Sequence, residues 1–468
     1  MQARPRGSHR RRRGGVIVVV LGMIILLAGL AVALVGLSSV ELTKACNSSD
    51  VDGALLAAES GLAFLQHVAQ GVELPSDTTD ETLPERLHAQ LAGLLAFATV
   101  SQPAVTLADG IITIAPIDLP DSSFTCRLDS DDSQTTPACR LTVTGHHGAV
   151  CRRVQVLLVC SARPADVFGH GIASRGSVSI QGNASLTGVT EAADASVLSA
   201  SGEPVTIELG GHASMTGDLY VAGQDASSVS LSGHGLSVAG TSDLDEIIAD
   251  HLHIVEEAPE FPETDTADLA AHATNVVDAN TDLGSGQTFT NIRIAAGTNP
   301  TFGSDTVLNG IVYVEAPNIV TFNSSTLNGM IVTADGGAYP IAECQIDFKG
   351  RTTAPGVTAL PETPEFADLR QLAGTILLAP GFGATFRGSS NLFNGVLAAD
   401  QLTFRGNLDI AGDLAGVILG LGAYPLTLSG NASIQVSHRD GSVLPVGFKH
   451  PLGLGIVPGS YSELAAGD

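Results

Sequence analysis

The chain has 468 residues, 44% of them hydrophobic and only 4% aromatic, with a formal net charge of −26. That hydrophobic content is enough for a sizeable core and excludes wholesale disorder. Six of the 22 basic residues precede Val16 and no acidic residue does, so 16 basic residues face 48 acidic ones from Val16 onward, which argues against nucleic acid as a partner.

The first predicted element is a membrane-spanning helix over residues 16–37, a stretch of 22 residues without charge or proline. A helix of that length crosses the roughly 30 Å hydrocarbon layer, and it is longer than the ~7–15 apolar residues of a cleaved signal peptide. Arginines precede it and Glu41 follows it. This asymmetry predicts a single pass through the cytoplasmic (inner) membrane with the amino terminus inside and the body periplasmic or extracellular.

Two further patterns extend this helix. Small residues recur along the span and predict close packing against other membrane helices. The sequence "GALLAAESGLAFLQ" then carries apolar residues at three- and four-residue steps, which predicts an amphipathic continuation to about residue 70. The small residues are Gly22, Gly29, Ala33 and Gly36, and the apolar residues are Leu55, Ala58, Leu62, Leu65 and Ala69.

The basic leader, the glycine, the long apolar helix and "AAESGL" together resemble the amino-terminal region of PilX-like minor pilins and of related pseudopilins, over about residues 10–70. These proteins belong to type IV pilus and type II secretion systems. The resemblance implies that a prepilin peptidase removes a leader of residues 1–15 by cutting after Gly15, so that Val16 becomes the new amino terminus. Major pilins usually carry Glu at the fifth residue after the cut, whereas this chain has Val20, which points away from a bulk filament subunit. A plain signal anchor is the alternative.

Residues 71–165 are predicted to form a small α+β domain. "PERLHAQLAGLLAFATV" indicates a helix, "GIITIAPI" a strand, and "CRLTVTGHHGAVCRRVQVLLVC" a hairpin around "GHHG". Four cysteines within 35 residues, after a membrane segment, favour disulfides in an oxidising compartment over a four-thiolate zinc site, because no C-x-x-C spacing occurs. Of three possible pairings, we favour Cys139 with Cys151 and Cys126 with Cys160.

Three groups of polar residues resemble metal ligands, but each is typical of solvated turns or edges. The acidic loop "LDSDDSQ" lacks the glycine and the distal glutamate of an EF-hand, so calcium there is the weaker alternative. We therefore predict no metal and no cofactor. The groups are His146 with His147, then Asp129 with Asp131 and Asp132, then His251 and His253 with Glu256 and Glu257.

Residues 166–450 are predicted to form a parallel β-solenoid. Thr-Phe pairs at 301–302 and 321–322 are 20 residues apart, those at 385–386 and 403–404 are 18 apart, and Asn-Gly follows with a similar period. Such a period, with short alternating strands and Gly or Asn at corners, is what stacked coils require. The region resembles β-helical repeats that follow PilX-like amino termini in large bacterial surface proteins and, loosely, the bactofilin type of β-helix. Insertions are expected at about 243–280 and 352–371, and a tail at 451–468.

Parallel β-helices also occur as polysaccharide lyases and glycosidases, which need paired carboxylates and usually aromatic rings for sugars. This chain has no Trp, five Tyr and no acidic position that repeats with the coils. We therefore predict a non-enzymatic, membrane-anchored structural subunit whose partners are membrane lipid, other pilin-like helices, a prepilin peptidase and an unidentified surface ligand. The alternatives are an anchored adhesin outside any filament and a β-helix hydrolase or lyase using Asp335, Asp400, Asp409 or Asp413.

Overall fold

The computed structural model describes residues 14–464 with gaps at 97–102, 224, 256–257, 389–390, 412–415, 440 and 442. The chain divides into two compact units. The amino-terminal unit comprises residues up to 161 together with those from 453 onward, and the solenoid unit comprises residues 162–452. The chain thus leaves the first unit after its fifth strand and returns to it near the carboxyl end.

The amino-terminal unit combines two helices with an antiparallel sheet. Its first helix, α1, is continuous for 57 residues, and its second, α2, buries one leucine stripe. The sheet order is β1-β2-β3-β4-β5, and two carboxy-terminal strands, Leu452–Ile456 and Ser462–Leu464, both pair with β5. The bounds are α1 (Gly14–Gln70), α2 (Leu83–Ala96), β1 (Val105–Ala108), β2 (Ile111–Asp118), β3 (Ser123–Ser130), β4 (Ala138–His147) and β5 (Val150–Ala162).

The second half of α1 packs on this sheet through small residues. Ala54, Ala57 and Ala58 are buried, as are Leu65 and Ala69 farther along. Close approach is possible because strand β4 has a glycine, Gly145, under the helix: a Cβ at this position would overlap the Ala54 carbonyl oxygen and the Ala58 amide nitrogen. The helix therefore lies with its backbone almost in contact with the strand.

The solenoid unit is built from parallel strands that stack coil upon coil, as the period of the sequence predicts. Three ladders run through the stack. In chain order the elements are β6 (Ile172–Ser174), β7 (Val178–Ile180), β8 (Ser185–Gly188), β9 (Val197–Ser199), β10 (Ile207–Gly210), β11 (Ser214–Met215), β12 (Leu219–Ala222), β13 (Val229–Ser232), β14 (Ser237–Val238), α3 (Leu244–Asp250), β15 (Leu252–Val255), β16 (Glu263–Thr264), α4 (Ala267–Ala270), β17 (Asn275–Val277), β18 (Thr288–Ile294), β19 (Thr301–Phe302), β20 (Val307–Val314), β21 (Asn318–Asn323), β22 (Thr326–Thr333), β23 (Cys344–Lys349), β24 (Thr353–Ala354), β25 (Thr375–Gly388), β26 (Asn391–Phe393), β27 (Val396–Gly406), β28 (Asp409–Ala411), β29 (Ile418–Gly420), β30 (Leu426–Gly430), β31 (Ser433–Val436) and β32 (Phe448–Lys449). The coil β6–β8 gives each ladder a short strand of its own, whereas β25 and β27 are long enough to pair in two ladders.

The Thr-Phe and Asn-Gly repeats of the sequence lie in register. Phe302 pairs with Phe322, and Phe386 pairs with Phe404. Asn309 pairs with Asn328, whose side-chain amide donates a hydrogen bond to the Asn309 Oδ1 atom at 3.0 Å. The mainly β fold class with a long amino-terminal helix and a parallel solenoid is confirmed.

A column of phenylalanine rings fills the solenoid core. The rings of Phe302, Phe322, Phe348, Phe386 and Phe404 stack one above the next, with centroids 4.7–5.5 Å apart and interplanar angles of 9–21°. All five are buried. Identical residues stack in this way because parallel in-register coils place equivalent side chains about 4.8 Å apart.

The order of coils in space differs from their order in the chain. The first coil, β6–β8, lies between β9–β11 on one side and the last coil, β29–β31, on the other. From β6 the chain builds coils outward to β15, then restarts at β17, at the opposite end of the same ladder, and builds inward to β31. The coil that begins the repeat series is therefore internal.

The segment between β15 and β17, which we call the return segment, connects the two ends of the ladder. Ten strand spacings separate β15 from β17, about 48 Å at ~4.8 Å each, and the 20 residue steps from Val255 to Asn275 can span at most about 66 Å. The return segment must therefore run largely extended along the coils. Its strand β16 pairs with β32, Thr264 lying opposite Phe448.

The excursion near residues 352–371 packs on outward-facing side chains of two coils. It contains three short 3-10 helices, Val357–Ala359, Pro364–Phe366 and Leu369–Gln371. Four of its apolar residues join four from β20 and β22 in a second buried cluster, so this excursion covers apolar surface that a bare coil would expose. The members from the excursion are Val357, Leu360, Phe366 and Leu369, and those from the coils are Ile311, Tyr313, Met330 and Val332.

Candidate functional site

The most distinctive functional feature is the first half of α1. The helix is long and apolar enough to cross a membrane, with a mean hydropathy of 3.1 in its most apolar 18-residue window, and none of that window is buried. Apolar side chains from Val18 to Leu42 are largely exposed. Because so much continuous apolar surface is costly in water, this half of the helix is suited to lipid or to other apolar helices.

The small residues predicted for helix packing lie on this exposed stretch. A Cβ added at Gly22, Gly29 or Gly36 would meet no atom within 4 Å, and Ala33 is exposed. Nothing in the described chain covers these positions, so they are free to approach another helix closely. The predicted cleavage residues Gly15 and Val16 lie in the first turn of α1, while residues 1–13 of the leader lie outside the described residues.

The register of the sheet separates both favoured cysteine pairs. Cys151 lies opposite His146 and Cys139 lies opposite Leu158, which puts seven residues, about 24 Å, between the two cysteines along the strands. Cys126 lies opposite Val143, which pairs with Val154, six residues or about 20 Å from Cys160. All six cysteines are free thiols, so these two pairings are wrong. The hairpin closes at residues 148–149 with a register that the cysteine spacing alone does not reveal.

Burial divides the six thiols into two classes. Burial raises the pKa of Cys126 and of Cys139 to about 12 and the pKa of Cys160 to about 11. Only Cys46 and Cys151 are exposed.

In the reduced, natively folded protein we therefore expect a maleimide to label Cys46 and Cys151 quickly and the other four only after unfolding, because the thiolate is the reactive form. Peptide mass spectrometry after timed labelling measures this, and a Cys151→Ser variant should show one rapid site. Rapid labelling of Cys126 or Cys139 would contradict the buried placement of these thiols.

Several residues that resembled metal ligands have partners within the protein. Arg127 contacts Asp129 at 2.9 Å and Arg140 contacts Asp131 at 2.7 Å, so two carboxylates of the acidic loop already have cationic partners. His147 lies 3.4 Å from Asp50 of α1. Within the described parts of the chain, no group of three or more His, Cys, Asp or Glu residues is placed to hold a metal ion.

His251 and His253 lie on one flank of the solenoid, where both contact one carboxylate. The two oxygens of Asp218 lie 2.9 Å from His251 Nδ1 and 2.9 Å from His253 Nε2. The His253 ring stacks on Tyr220 at 4.7 Å, and Tyr220 in turn meets the edge of His170. Sequence reasoning missed Asp218 because it lies 33 and 35 residues before the histidines and meets them only through coil stacking. Glu256 and Glu257 lie outside the described residues.

His170 lies on the same flank, against the Tyr220 ring. Burial lowers its pKa from 6.5 to about 4, against a smaller opposing effect of Asp166. Its Nδ1 atom lies 3.2 Å from the Ser196 hydroxyl.

The His170 imidazole is therefore expected to make the solenoid unit sensitive to acid. Between pH 6.5 and 4 the unfolded chain binds a proton that the folded chain does not, so stability falls as the pH falls through this window, by roughly 2–3 kcal/mol. Urea unfolding at a series of pH values should show a shallower dependence for His170→Gln than for the exposed-site control His234→Gln. Equal slopes for the two variants would contradict the assignment.

Comparisons with known proteins add one structural likeness. No protein-family model matches the sequence, and no curated protein matches it. Among solved structures, the crystal structure of the competence-associated pilin ComZ from Thermus thermophilus is similar, with 13% sequence identity over 89% of this chain and 97% of that chain and a TM-score of 0.24.

Proposed function

We propose that this protein is a non-enzymatic, membrane-anchored, pilin-like structural subunit, with the amino terminus of α1 in the cytoplasm and both units on the outer side of the cytoplasmic membrane. The observation that carries the proposal is the continuity of α1. One helix presents an exposed apolar half and then packs its second half on the seven-stranded sheet of the amino-terminal unit. Such a helix can insert in lipid, and later in a helical filament, without changing how its second half packs on the sheet.

The finer assignment is to a minor pilin or pseudopilin of a type IV pilus or type II secretion system, processed after Gly15. The glycine pair at the border of the basic leader supports this, as do the small residues on the exposed half of α1. Membrane lipid, other pilin-like helices and a prepilin peptidase are the proposed partners. The solenoid unit is proposed to serve contacts outside the membrane.

Processing is tested by co-expressing the full chain with a prepilin peptidase and measuring the mass of the mature amino terminus. We expect Val16 as the first residue and loss of residues 1–15. A Gly15→Val variant should remain uncut, whereas the matched variant Gly14→Ala should still be cut. An intact Met1 in the native chain, or a cut near Ala33, would contradict pilin-type processing.

An anchored adhesin outside any filament remains the second candidate, and Val20 favours it. This residue occupies the position of the usual glutamate, and its side chain is 49% exposed with no carboxylate to attract a neighbour's amino terminus. Cysteine introduced at Gly29 distinguishes the two functions. Oxidative crosslinking of this cysteine to other pilin-like helices would support the filament subunit. Failure of this cysteine to crosslink to any pilin-like helix would support the adhesin.

A further inference from the structure

A cleft lies along one corner of the solenoid unit, between consecutive coils and the return segment. It encloses about 450 Å³. Asp400, Leu421 and Arg175 immediately follow three residues paired in register, Ala399, Gly420 and Ser174, so they occupy the same corner of successive coils. The opposite wall is Pro262, Glu263 and Thr264 of the return segment.

Two carboxylates and one guanidinium are directed toward this cleft. Asp335 and Asp400 both line it, and Asp400 is partly buried and accepts a hydrogen bond from the Gly381 amide. Burial, and the charge of Asp335, raise the pKa of Asp400, while Arg175 opposes the shift. The absence of a side chain at Gly422 leaves the space that the Asp400 carboxylate occupies, since a Cβ there would lie 2.9 Å from Oδ2.

An aromatic ring of the return segment holds the Arg175 side chain in place. Its guanidinium lies 5.1 Å from the centre of the Phe261 ring, a cation–π contact with a buried ring of the return segment. The cleft therefore has fixed donors and acceptors, and its formal charge is negative because Asp335, Asp400 and Glu263 outnumber Arg175.

Two exposed tyrosines have backbone close to residues of the cleft. The Tyr339 amide donates a hydrogen bond to the Gly336 carbonyl at 2.9 Å, next to Asp335. The backbone of Tyr424 adjoins Gly176, next to Arg175. Both side chains are 42% exposed, although tyrosine is rare in this chain.

We propose that this cleft binds a neutral or amino-bearing oligosaccharide. Carboxylates accept hydrogen bonds from sugar hydroxyls, and a guanidinium donates to hydroxyl and ring oxygens. Pro262, Pro380 and Leu421 line the cleft and offer apolar faces against which pyranose rings can pack. Successive coils repeat at about 4.8 Å, close to the length of one pyranose unit in a linear glycan, so one sugar can face each coil.

The sign of the charge selects among glycans. A cleft with more carboxylates than cations repels uronic or sialic acids and attracts protonated amino sugars. This binding function goes beyond the role of structural subunit and does not depend on the membrane helix, so either proposal can fail without the other.

The test is calorimetric titration of the detergent-solubilised full chain with four tetrasaccharides: chitotetraose, its N-acetylated form, maltotetraose and tetragalacturonate. We expect chitotetraose to bind most tightly, at least one neutral tetrasaccharide to bind more weakly, and tetragalacturonate not to bind. Asp400→Asn and Asp335→Asn should each weaken binding of chitotetraose at least tenfold. The matched control Asp305→Asn, at an exposed turn of the same unit, should bind as the native chain does.

Thermal unfolding of each variant shows whether it is folded, and Arg175→Gln provides a second probe that removes a donor instead of a carboxylate. Failure of all neutral and amino tetrasaccharides to bind would overturn the proposal. Tighter binding of tetragalacturonate than of chitotetraose would also overturn it, as would binding that survives Asp400→Asn, Asp335→Asn and Arg175→Gln unchanged.

Discussion

Replacing Phe386 by alanine is expected to lower the free energy of unfolding of the solenoid unit by about 3–5 kcal/mol. The ring is fully buried and stacks on Phe348 at 4.7 Å and on Phe404 at 4.8 Å, while Phe393 meets its edge at 5.2 Å. Its removal leaves a cavity in the middle of the phenylalanine column, where coils above and below are fixed by strand pairing and cannot collapse into it. Urea unfolding of the solenoid unit, followed by pulse proteolysis, measures the decrease in the free energy of unfolding.

The neighbouring residue provides a matched control for this variant. Thr385 precedes Phe386 on the same strand and is only half-buried, so Thr385→Ala is expected to change stability by less than about 1 kcal/mol. A Phe386→Leu variant should fall between the two, because it retains part of the buried volume. Equal losses for Thr385→Ala and Phe386→Ala would show that the ring column contributes little.

Replacing Gly145 by alanine is expected to loosen α1 from its sheet and to destabilise the amino-terminal unit by about 3 kcal/mol. The new Cβ would overlap backbone atoms of Ala54 and Ala58, and a helix backbone cannot rotate away as a side chain can. The helix must move as a whole, which separates Ala57 and Leu65 from the sheet. Limited proteolysis between residues 50 and 70 should become faster in the folded protein.

Gly93 of α2, in the same unit, is a position where alanine is not expected to destabilise the protein. No atom lies within 4 Å of a Cβ added there, and alanine favours a helix over glycine by about 0.5–1 kcal/mol, so Gly93→Ala should leave stability unchanged or slightly raised. If Gly145→Ala changed stability as little as Gly93→Ala, the close packing of α1 on β4 would be wrong.

The repeats that sequence reasoning identified are those whose spacing is fixed by the coil. Thr-Phe and Asn-Gly recur every 18–20 residues because each coil must return the same side chain to the same ladder, and the structure places them in register. The positions of the cysteines across the sheet could not be obtained in the same way. They depend on the register of one hairpin, where a shift of a few residues changes every partner across β4 and β5.

The candidate cleft could not be predicted from the sequence either. Asp335 and Asp400 stood out as acidic residues but looked like ordinary corner residues, because their neighbours in space come from distant segments. Arg175 precedes Asp400 by 225 residues and lines the same cleft only because the first coil stacks on the last. No local pattern in the sequence reports that proximity.

The sequence alone determined the apolar helix and the stacking of in-register coils, because these depend on local composition and on a period that the chain itself displays. Only the tertiary structure decided which coil is internal, how the return segment crosses ten strand spacings, which residue lies opposite each cysteine and which charged groups share a cleft. These features depend on contacts between residues far apart in the chain, and such contacts arise only when the coils and the helix have packed together.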